Sequence, residues 1–360
     1  MWLNTVRGRD FRAFDRFALT PHPRRNLILG DNGAGKSSLL EALCVLTRGA
    51  CPRAALASLT RDGCEDWRLE ATVSELDHPA APWRVEVSWR AGHRWIAMNG
   101  MRQTQAALAA RLPLQTIDPA RVHVIDGEPK ARRRLLDWGL FHVEQDFMPC
   151  WRRLQHALAQ RNAALRQRAS AAALAPWDLE LIGVASQLDR MRRNHLSELQ
   201  ADLKAQLAIL LPGERWTLGY FPGWGAELTL AEALARHRER DRKLQRTTCG
   251  PHCAELLFSQ DRRLARGRAS RGQQKLLAAA WVLAQCRLIE RKTGHAPIVL
   301  LDDFAAELSA ASQSRLWSAL AGYPGQVFIA AQAFPEAARG ADLAMFHVEH
   351  GAVRRLTLVE

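Results

Sequence analysis

Short apolar runs, alternating stretches and long leucine stripes divide this chain into segments of different character. Asn26-Leu27-Ile28-Leu29, Ile298-Val299-Leu300-Leu301 and Gln326-Val327-Phe328-Ile329-Ala330-Ala331 are nearly continuous apolar runs of strand length. That is the pattern of strands buried on both faces. Val122-His123-Val124-Ile125 reads the same way and is predicted as a further core strand, ending in Asp126-Gly127-Glu128-Pro129. Leu69 to Ser74 and Arg84 to Trp89 instead alternate, as half-buried antiparallel strands do. Leu3 to Phe17 alternates around Phe11 and Phe14 and predicts an opening strand pair. Trp95 to Met98 runs into Asn99-Gly100, a hairpin signal, and His347 to Leu358 reads as a closing hairpin around Gly351.

From Leu135 to about Arg242 the period becomes helical. Leu154, Leu158, Arg161 and Leu165 share one face, and Leu196, Leu199, Leu203, Leu207 and Leu210 form a second stripe that Pro212-Gly213 ends. Two such helices joined near Ala169–Pro176 predict an antiparallel arm about 40–50 Å long at 1.5 Å per residue. The expected fold is α/β: a head with a β-subdomain and an inserted helical arm. Its expected divisions are an N-terminal lobe over residues 1–134, the arm over 135–245 and a C-terminal lobe over 246–360.

The chemistry centres on Gly30-Asp31-Asn32-Gly33-Ala34-Gly35-Lys36-Ser37-Ser38, which fits the P-loop pattern G-x-x-x-x-G-K-[ST]. A strand run precedes it and a helical run, Ser38 to Leu43, follows. Glycines let successive backbone N–H groups curl toward phosphate oxygens, and the new helix adds its positive end. Lys36 is placed to reach the β/γ-phosphates and the Ser37 hydroxyl to take a Mg²⁺ position.

Composition changes this picture in one respect. Against 37 acidic side chains the chain carries 50 basic ones, mostly arginine, for a net charge of +13. Nucleic acid or another acidic partner is the leading explanation. A high-GC coding bias would account for the arginine-to-lysine ratio but not for the net charge. Lys130-Ala131-Arg132-Arg133-Arg134 is read either as phosphate or DNA contact or as a solvated helix start. The arginines of the arm (Arg152, Arg153, Arg161, Arg166, Arg168, Arg190, Arg192 and Arg193) are a candidate DNA track or a solvated face. No apolar run approaches the roughly 18–20 residues that span a bilayer, and the N-terminus lacks a signal-peptide core. The expectation is therefore a cytoplasmic protein with no membrane partner and with reduced cysteines. Cys249-Gly250-Pro251-His252-Cys253 lacks the second ligand pair of a zinc site.

Two further signatures follow. Ser270-Arg271-Gly272-Gln273-Gln274-Lys275 opens the apolar helix Leu276–Glu290, a second anion cradle. Since Gly30 to Ser37 already form one phosphate site, this cradle suggests contact with the γ-phosphate of a nucleotide on a second copy. Asp302-Asp303 ends the strand run Ile298 to Leu301. Asp302 can hold Mg²⁺ through water, and Asp303 can orient the attacking water. Gln332, at the end of the last strand, is another candidate for sensing the γ-phosphate. An aromatic or Arg in Leu3 to Phe17 can stack on adenine; core packing of Phe11 and Phe14 is the alternative.

In this order the P-loop, Ser-Arg-Gly-Gln-Gln-Lys and Leu-Leu-Asp-Asp form the triad of ABC-type ATPase heads. Within that group the chain resembles the RecF family of bacterial recombination mediators. The resemblance rests on Asn26 to Leu43, Arg133 to Glu144, Ala157 to Asn162, Thr248 to His252, Ser270 to Lys275 and Leu300 to Leu308. The block Leu136-Asp137-Trp138-Gly139-Leu140-Phe141-His142-Val143-Glu144 is its most specific part.

The resemblance implies two ATPs sandwiched between the P-loop of one subunit and the signature of another. It also implies ATP-dependent binding of single-stranded, double-stranded or gapped DNA, with slow hydrolysis resetting the clamp. RecR and RecO would be the partners, in the placing of RecA during DNA replication, repair, recombination and the SOS response. By motif, Lys36 and Ser37 bind phosphate and Mg²⁺, Ser270 and Gly272 sense the γ-phosphate in trans, and Asp302 is the Walker B carboxylate. Asp303 stands where ABC ATPases usually have Glu, and its shorter reach fits slow turnover. The chain departs from the family at Cys253, where Arg is usual, at Ser309, where Asp is usual, and at Gln332-Ala333, where a Thr-containing end is commoner. These departures bear on hydrolysis and on coupling between two sites, and leave nucleotide binding and dimerisation. The competing readings are a nucleotide-binding subunit of an ABC transporter and a non-hydrolysing, ATP-locked DNA clamp.

Overall fold

The structure is a computed structural model describing residues 1–75, 81–118 and 124–356. It divides into two compact units: residues 1–122, 209–211 and 271–360, and residues 123–208 and 212–270.

The first unit holds two six-stranded sheets. One is ordered β2-β1-β4-β5-β6-β7 and entirely antiparallel, from β1 (Trp2–Phe11), β2 (Phe14–Leu19), β4 (Trp67–Ser74), β5 (Trp83–Arg90), β6 (His93–Met98) and β7 (Met101–Arg102). Alternation in these strands gives one buried face and one solvated face. The second sheet is ordered β15-β14-β3-β13-β12-β8. In it β3 (Arg25–Leu29), β8 (Leu114–Ile117), β12 (Ile298–Leu301), β13 (Val327–Ala331) and β14 (Ala344–Glu349) run parallel, and β15 (Ala352–Leu356) folds back antiparallel. All five residues of β13 and all four of β8 and β12 are buried, as parallel strands covered on both faces require.

Helix α1 (Lys36–Arg48) belongs to the core that joins the two sheets. Leu39, Leu40 and Leu43 pack with Phe11, Phe14 and Phe17 of the antiparallel sheet and with Ile28 and Phe328 of the parallel one. Each fully buried side chain of this size contributes about 1.5–3 kcal/mol. Phe11 and Phe14 have no exposed surface, so they pack the core rather than stack on a base. Gln326 ties the sheets together: its side chain accepts from Leu3 N–H at 2.8 Å and donates to the Leu3 and His22 carbonyls, both at 3.0 Å.

The predicted strand over residues 122–125 is not observed. Val124 and Ile125 are helical, while Val122 and His123 lie outside the described residues. A parallel strand is found instead at β8, eight residues earlier in sequence, just after the short helix α2 (Gln105–Arg111), and unassigned by pattern. Leu114-Gln115-Thr116-Ile117 holds two polar residues, so it is the less apolar of the two by sequence, and a segment this short carries no period that separates strand from helical turn. In the closing hairpin, β14 and β15 turn at His350-Gly351 as expected; Thr357 and Leu358 lie outside the described residues.

The second unit is built on α3 (Pro129–Val143), α4 (Phe147–Arg166), α5 (Ala171–Leu210) and α6 (Leu230–Leu244). The last residues of α5 count with the first unit. Helices α4 and α5 are antiparallel, since Cys150 meets Val184, Arg153 meets Glu180 and Arg161 meets Asp178. At 40 residues α5 is about 60 Å long, longer than the stripe predicted. The break falls at residues 167–170, where Arg168 has φ of 54°, and Pro176 lies inside α5 near its start. So early in a helix the proline ring removes a single bond from the opening turns.

The helical reading of residues 135–242 also missed strand β9 (Trp216–Phe221). It pairs with β10 (Glu255–Gln260), which pairs in turn with β11 (Arg263–Leu264), in a three-stranded sheet ordered β11-β10-β9. Among the described residues no helix is long and apolar enough to cross a membrane.

Candidate nucleotide-binding site

The P-loop stands at the C-terminal end of the central strand β3, between that strand and α1, where ligands of parallel sheets bind. Gly30 is forced by close approach: a Cβ there would meet the Val348 carbonyl oxygen at 2.4 Å, and its φ is 154°. Residues 31–38 then turn over the start of α1, whose N-cap Gly35 supplies no side-chain cap. The first N–H groups of α1 are thus uncapped by a side chain and face the loop, as an anion cradle needs. Asp31, Asn32, Gly33 and Ala34 form the turn, with Ala34 N–H donating to Asp31 at 3.2 Å. Ser38 continues the first helical turn.

Lys36 is buried. Its Nζ donates to the Gly30 and Asp31 carbonyls, both at 2.7 Å, and among the described residues no carboxylate pairs with it. A buried ammonium held by carbonyls alone is poised to receive a multiply charged phosphate.

Beside it, Ser37 Oγ lies 3.3 and 3.2 Å from the two carboxylate oxygens of Asp302. Asp302 ends β12, and its N–H donates to Ile117 of β8 at 3.1 Å. A hydroxyl and a carboxylate together are hard oxygen donors of the kind Mg²⁺ takes, so the donor set fits that ion. Gln332, at the end of β13, donates through Nε2 to Asn32 Oδ1 at 2.9 Å, which brings the last strand to the P-loop.

Arg53 is a neighbour the sequence did not announce. It lies 3.3 Å from Asp302 and 3.4 Å from Asp118, the residue just past β8. Burial opposes its charge, but Asp118 and then Asp302 outweigh burial and raise its pKa. Its only signal was membership of the basic loop Arg48 to Arg61. Nothing local pairs it with carboxylates far along the chain.

Gly272 and Lys275 of the signature pack on the loop after β12. Ser270 is exposed and precedes α7 (Arg271–Thr293); Gly272 and Gln273 lie in its first turn. A Cβ on Gly272 would stand 2.7 Å from the Glu307 carbonyl oxygen, so helix and loop meet at backbone distance only because this residue is glycine. Lys275 clamps the same loop, donating to the carbonyls of Asp303 at 2.6 Å, Ala306 at 3.0 Å and Phe304 at 3.3 Å. Burial pulls the Lys275 pKa down to about 8, against the opposing pull of Asp303, Glu307 and Asp302. Sequence reasoning placed Lys275 in a cradle for anions; its ammonium is instead spent inside the fold. Within this loop Asp303 has φ of 53° and Glu307 of 66°, left-handed conformations that side chains seldom adopt without compensation. Asp303 and Gln332 line a cleft of about 430 Å³ with Phe304, Gln313 and Phe334. Ser309 caps α8 (Ala310–Ala321), accepting from Ser312 N–H at 3.3 Å.

Several arginines read as DNA contacts are structural. Arg161 is fully buried and bound to Asp178 at 2.6 Å, Asp241 at 2.7 Å and Thr247 at 2.9 Å. Arg192 pairs in bidentate fashion with Asp137, at 2.9 and 2.8 Å, and donates to Pro251 at 2.8 Å. Arg132 is likewise forked onto Glu255, at 2.6 and 2.8 Å, and Arg133 donates to Ala254 at 2.7 Å. Helical spacing gave the face of each arginine but not the carboxylate waiting on another element. Arg152, Arg153, Arg166, Arg168, Arg190 and Arg193 remain exposed, as do Lys130 and Arg134. The Cys249–Cys253 corner is packed interior, where burial raises the Cys249 thiol to about 12 and pushes His252 downward.

A P-loop facing a strand-end carboxylate, with a glycine-opened helix clamped to the next loop, defines the class of ABC-type ATPase heads. Solved structures share the fold. The recombination mediator protein RecF-ATPrS superposes with a TM-score of 0.85 at 22% identity, covering 99% of this chain and 98% of that one. A head of Smc bound to the C-winged helix domain of ScpA gives 0.63 at 15% identity, covering 100% and 98%. The chain belongs to the RecF/RecN/SMC N terminal domain family, matched over residues 2–350, and to the RecF proteins within it. It is 38% identical over 353 residues to the DNA replication and repair protein RecF of Stenotrophomonas maltophilia, covering 96% of both chains. To that of Thioalkalivibrio sulfidiphilus it is 37% identical over 358 residues, covering 98% of this chain and 99% of the relative.

Proposed function

We propose that this chain is an ATP-dependent DNA-binding recombination mediator acting in DNA replication and repair. The observation that carries the reading is the buried, carbonyl-held Lys36 beside the Ser37–Asp302 pair. It is supported by relatives named as replication and repair proteins and by a RecF structure described with ATP in the RecFOR pathway. Lys36 and the N–H groups of Gly33 to Ser38 hold the phosphates, and Ser37 and Asp302 would hold Mg²⁺, which when bound would supply positive charge beside the phosphates. Asp303 orients the attacking water. Ser270, Gly272 and Gln273 receive the γ-phosphate of a second copy, so that ATP closes a homodimer. DNA, gapped or otherwise, is the macromolecular ligand, and RecR and RecO are the partners in placing RecA.

Turnover is slow, because an Asp at position 303 reaches less far than a Glu and Ser309 stands where the family carries the aspartate that couples the two sites. Sedimentation with a short gapped DNA, with and without ATP and Mg²⁺, tests this. A dimer on DNA only with ATP is expected. A monomer indifferent to both would overturn it, and a dimer that never releases ATP would leave the non-hydrolysing clamp, the reading Ser309 favours.

A further inference from the structure

The outer face of the antiparallel sheet carries like charges where cross-strand pairing normally sets opposite ones. Arg9 stands directly opposite Arg16 on one side and Arg68 on the other. Arg7, two residues along β1 on the same face, stands opposite Ala18 and Glu70. All four arginines are exposed, while Val6 and Gly8, the alternate positions of β1, are buried. Cationic side chains directly opposite one another destabilise a sheet, and the compensation is partial. Arg68 is held by Glu70 and Glu86, at 2.5 and 2.8 Å, and Arg9 by Asp10 at 3.0 Å. Among the described residues neither Arg7 nor Arg16 has an acidic partner. Its nearest sequence neighbour Asp15 is taken by Arg61 at 3.3 Å.

We infer that this face is a binding surface for the phosphate backbone of duplex DNA. The inference rests on the DNA-binding reading above and adds where the contact is made. Adjacent strands lie about 4.8 Å apart and alternate residues about 6.8 Å apart, so the row and its neighbour form a grid of guanidinium forks around a shallow cleft that Arg7, Arg9, Arg16 and Arg68 line. Such forks match phosphate oxygens in pairs. Duplex DNA presents a charge about every 1.7 Å of its axis, which meets several points of the grid at once.

An acidic protein would fit the charge but not the rest of the face. On the strands that carry these arginines the other outward positions include Thr5, Thr72, Ala18 and Glu70, and Trp95, further along the same face on β6, lies under Arg90 and Arg102 rather than standing free like the anchors that stable protein interfaces centre on. The face of a sheet sends no helix or ribbon into a groove, so it reads backbone and not sequence. Each protomer carries the surface whole. A weak, salt-sensitive component of DNA binding therefore persists without ATP, and dimerisation strengthens it by engaging two copies.

The test is fluorescence anisotropy of the full chain with a labelled duplex, between about 50 and 200 mM salt, with and without ATP and Mg²⁺. Wild type is compared with the triple variant Arg7→Ala/Arg9→Ala/Arg16→Ala and with the corresponding Arg→Lys triple. The alanine triple should bind at least about tenfold more weakly at low salt, with a salt slope shallower by about one per arginine lost. The lysine triple should keep the slope, and the alanine triple should unfold at no lower temperature than wild type, because repulsion has been relieved. An unchanged slope in the alanine triple, with wild type binding DNA, overturns the surface and leaves the function standing. A lysine triple that behaves like alanine, or a fall in unfolding temperature, overturns it in favour of a structural role. Sensitivity of polyglutamate binding alone, with duplex binding intact, assigns the face to an acidic protein instead. Wild type that binds no DNA under any condition overturns both.

Discussion

Ser37 Oγ lies 3.2 Å from Asp302 Oδ2, although 265 residues separate them in sequence. Parallel strands β3 and β12 flank β13 in the sheet, so their C-terminal ends bring the P-loop serine and the strand-end carboxylate to one edge. The Arg53 guanidinium stands 3.3 Å from the same carboxylate.

Lys36→Ala removes the buried ammonium that the Gly30 and Asp31 carbonyls aim into the loop. Charge-assisted hydrogen bonds are worth about 1.5–3 kcal/mol, so ATP should bind roughly 10- to 100-fold more weakly. ATP-dependent dimerisation should disappear in sedimentation, and an unaltered dimer would sink the role.

Asp303→Asn keeps the size of the side chain and its left-handed backbone but removes the acceptor for a water proton. Loss of a positioned base costs about 10²- to 10⁴-fold. Single-turnover assays should show that fall with ATP affinity retained and the dimer persisting. Normal turnover would mean that another group orients the water.

Lys275 makes the site sensitive to pH. Its pKa in the fold is about 8, against an ordinary 10.5. Between those values the unfolded chain holds more protons than the native one, so this group's contribution to stability rises with pH across that window. Its grip on the Asp303 loop goes the other way, because a neutral amine has fewer hydrogens to donate to three carbonyls. Turnover should fall as pH rises through about 8, and Lys275→Arg should flatten that fall. Thermal unfolding of wild type against Lys275→Met, below and above this pH, checks the stability sign.

Arg161→Met leaves Asp241, which is fully buried, without its cation. Breaking one side of a buried pair costs about 3–5 kcal/mol. Urea unfolding of the variant should show that loss, whereas Arg166→Met on the exposed surface should change stability by less than about 0.5 kcal/mol. Equal effects would show that Arg161 is not a keystone of the second unit.

Local pattern was enough for much of this protein. The P-loop, its flanking strand and helix, the strand before Asp302-Asp303, the opening antiparallel strands and the closing hairpin follow from alternation, glycine placement and short apolar runs. Each such signal is written within ten or so neighbouring residues, which is the range over which backbone preference and side-chain period act. The pairing of those elements is not written there. Leu114 to Ile117 is as short as Val122 to Ile125 and carries two polar residues, Gln115 and Thr116, and only the edge of the parallel sheet selects it as a strand. Arg161 and Arg166 look alike on a helical wheel, and only the approach of Asp178 and Asp241 makes one of them interior. Lys275 belongs to a motif that suggested anion binding, and the return of the Asp303–Ala306 carbonyls claims it. A charge takes its meaning from what stands within about 4 Å of it, and for residues far apart in sequence the tertiary fold alone sets that distance.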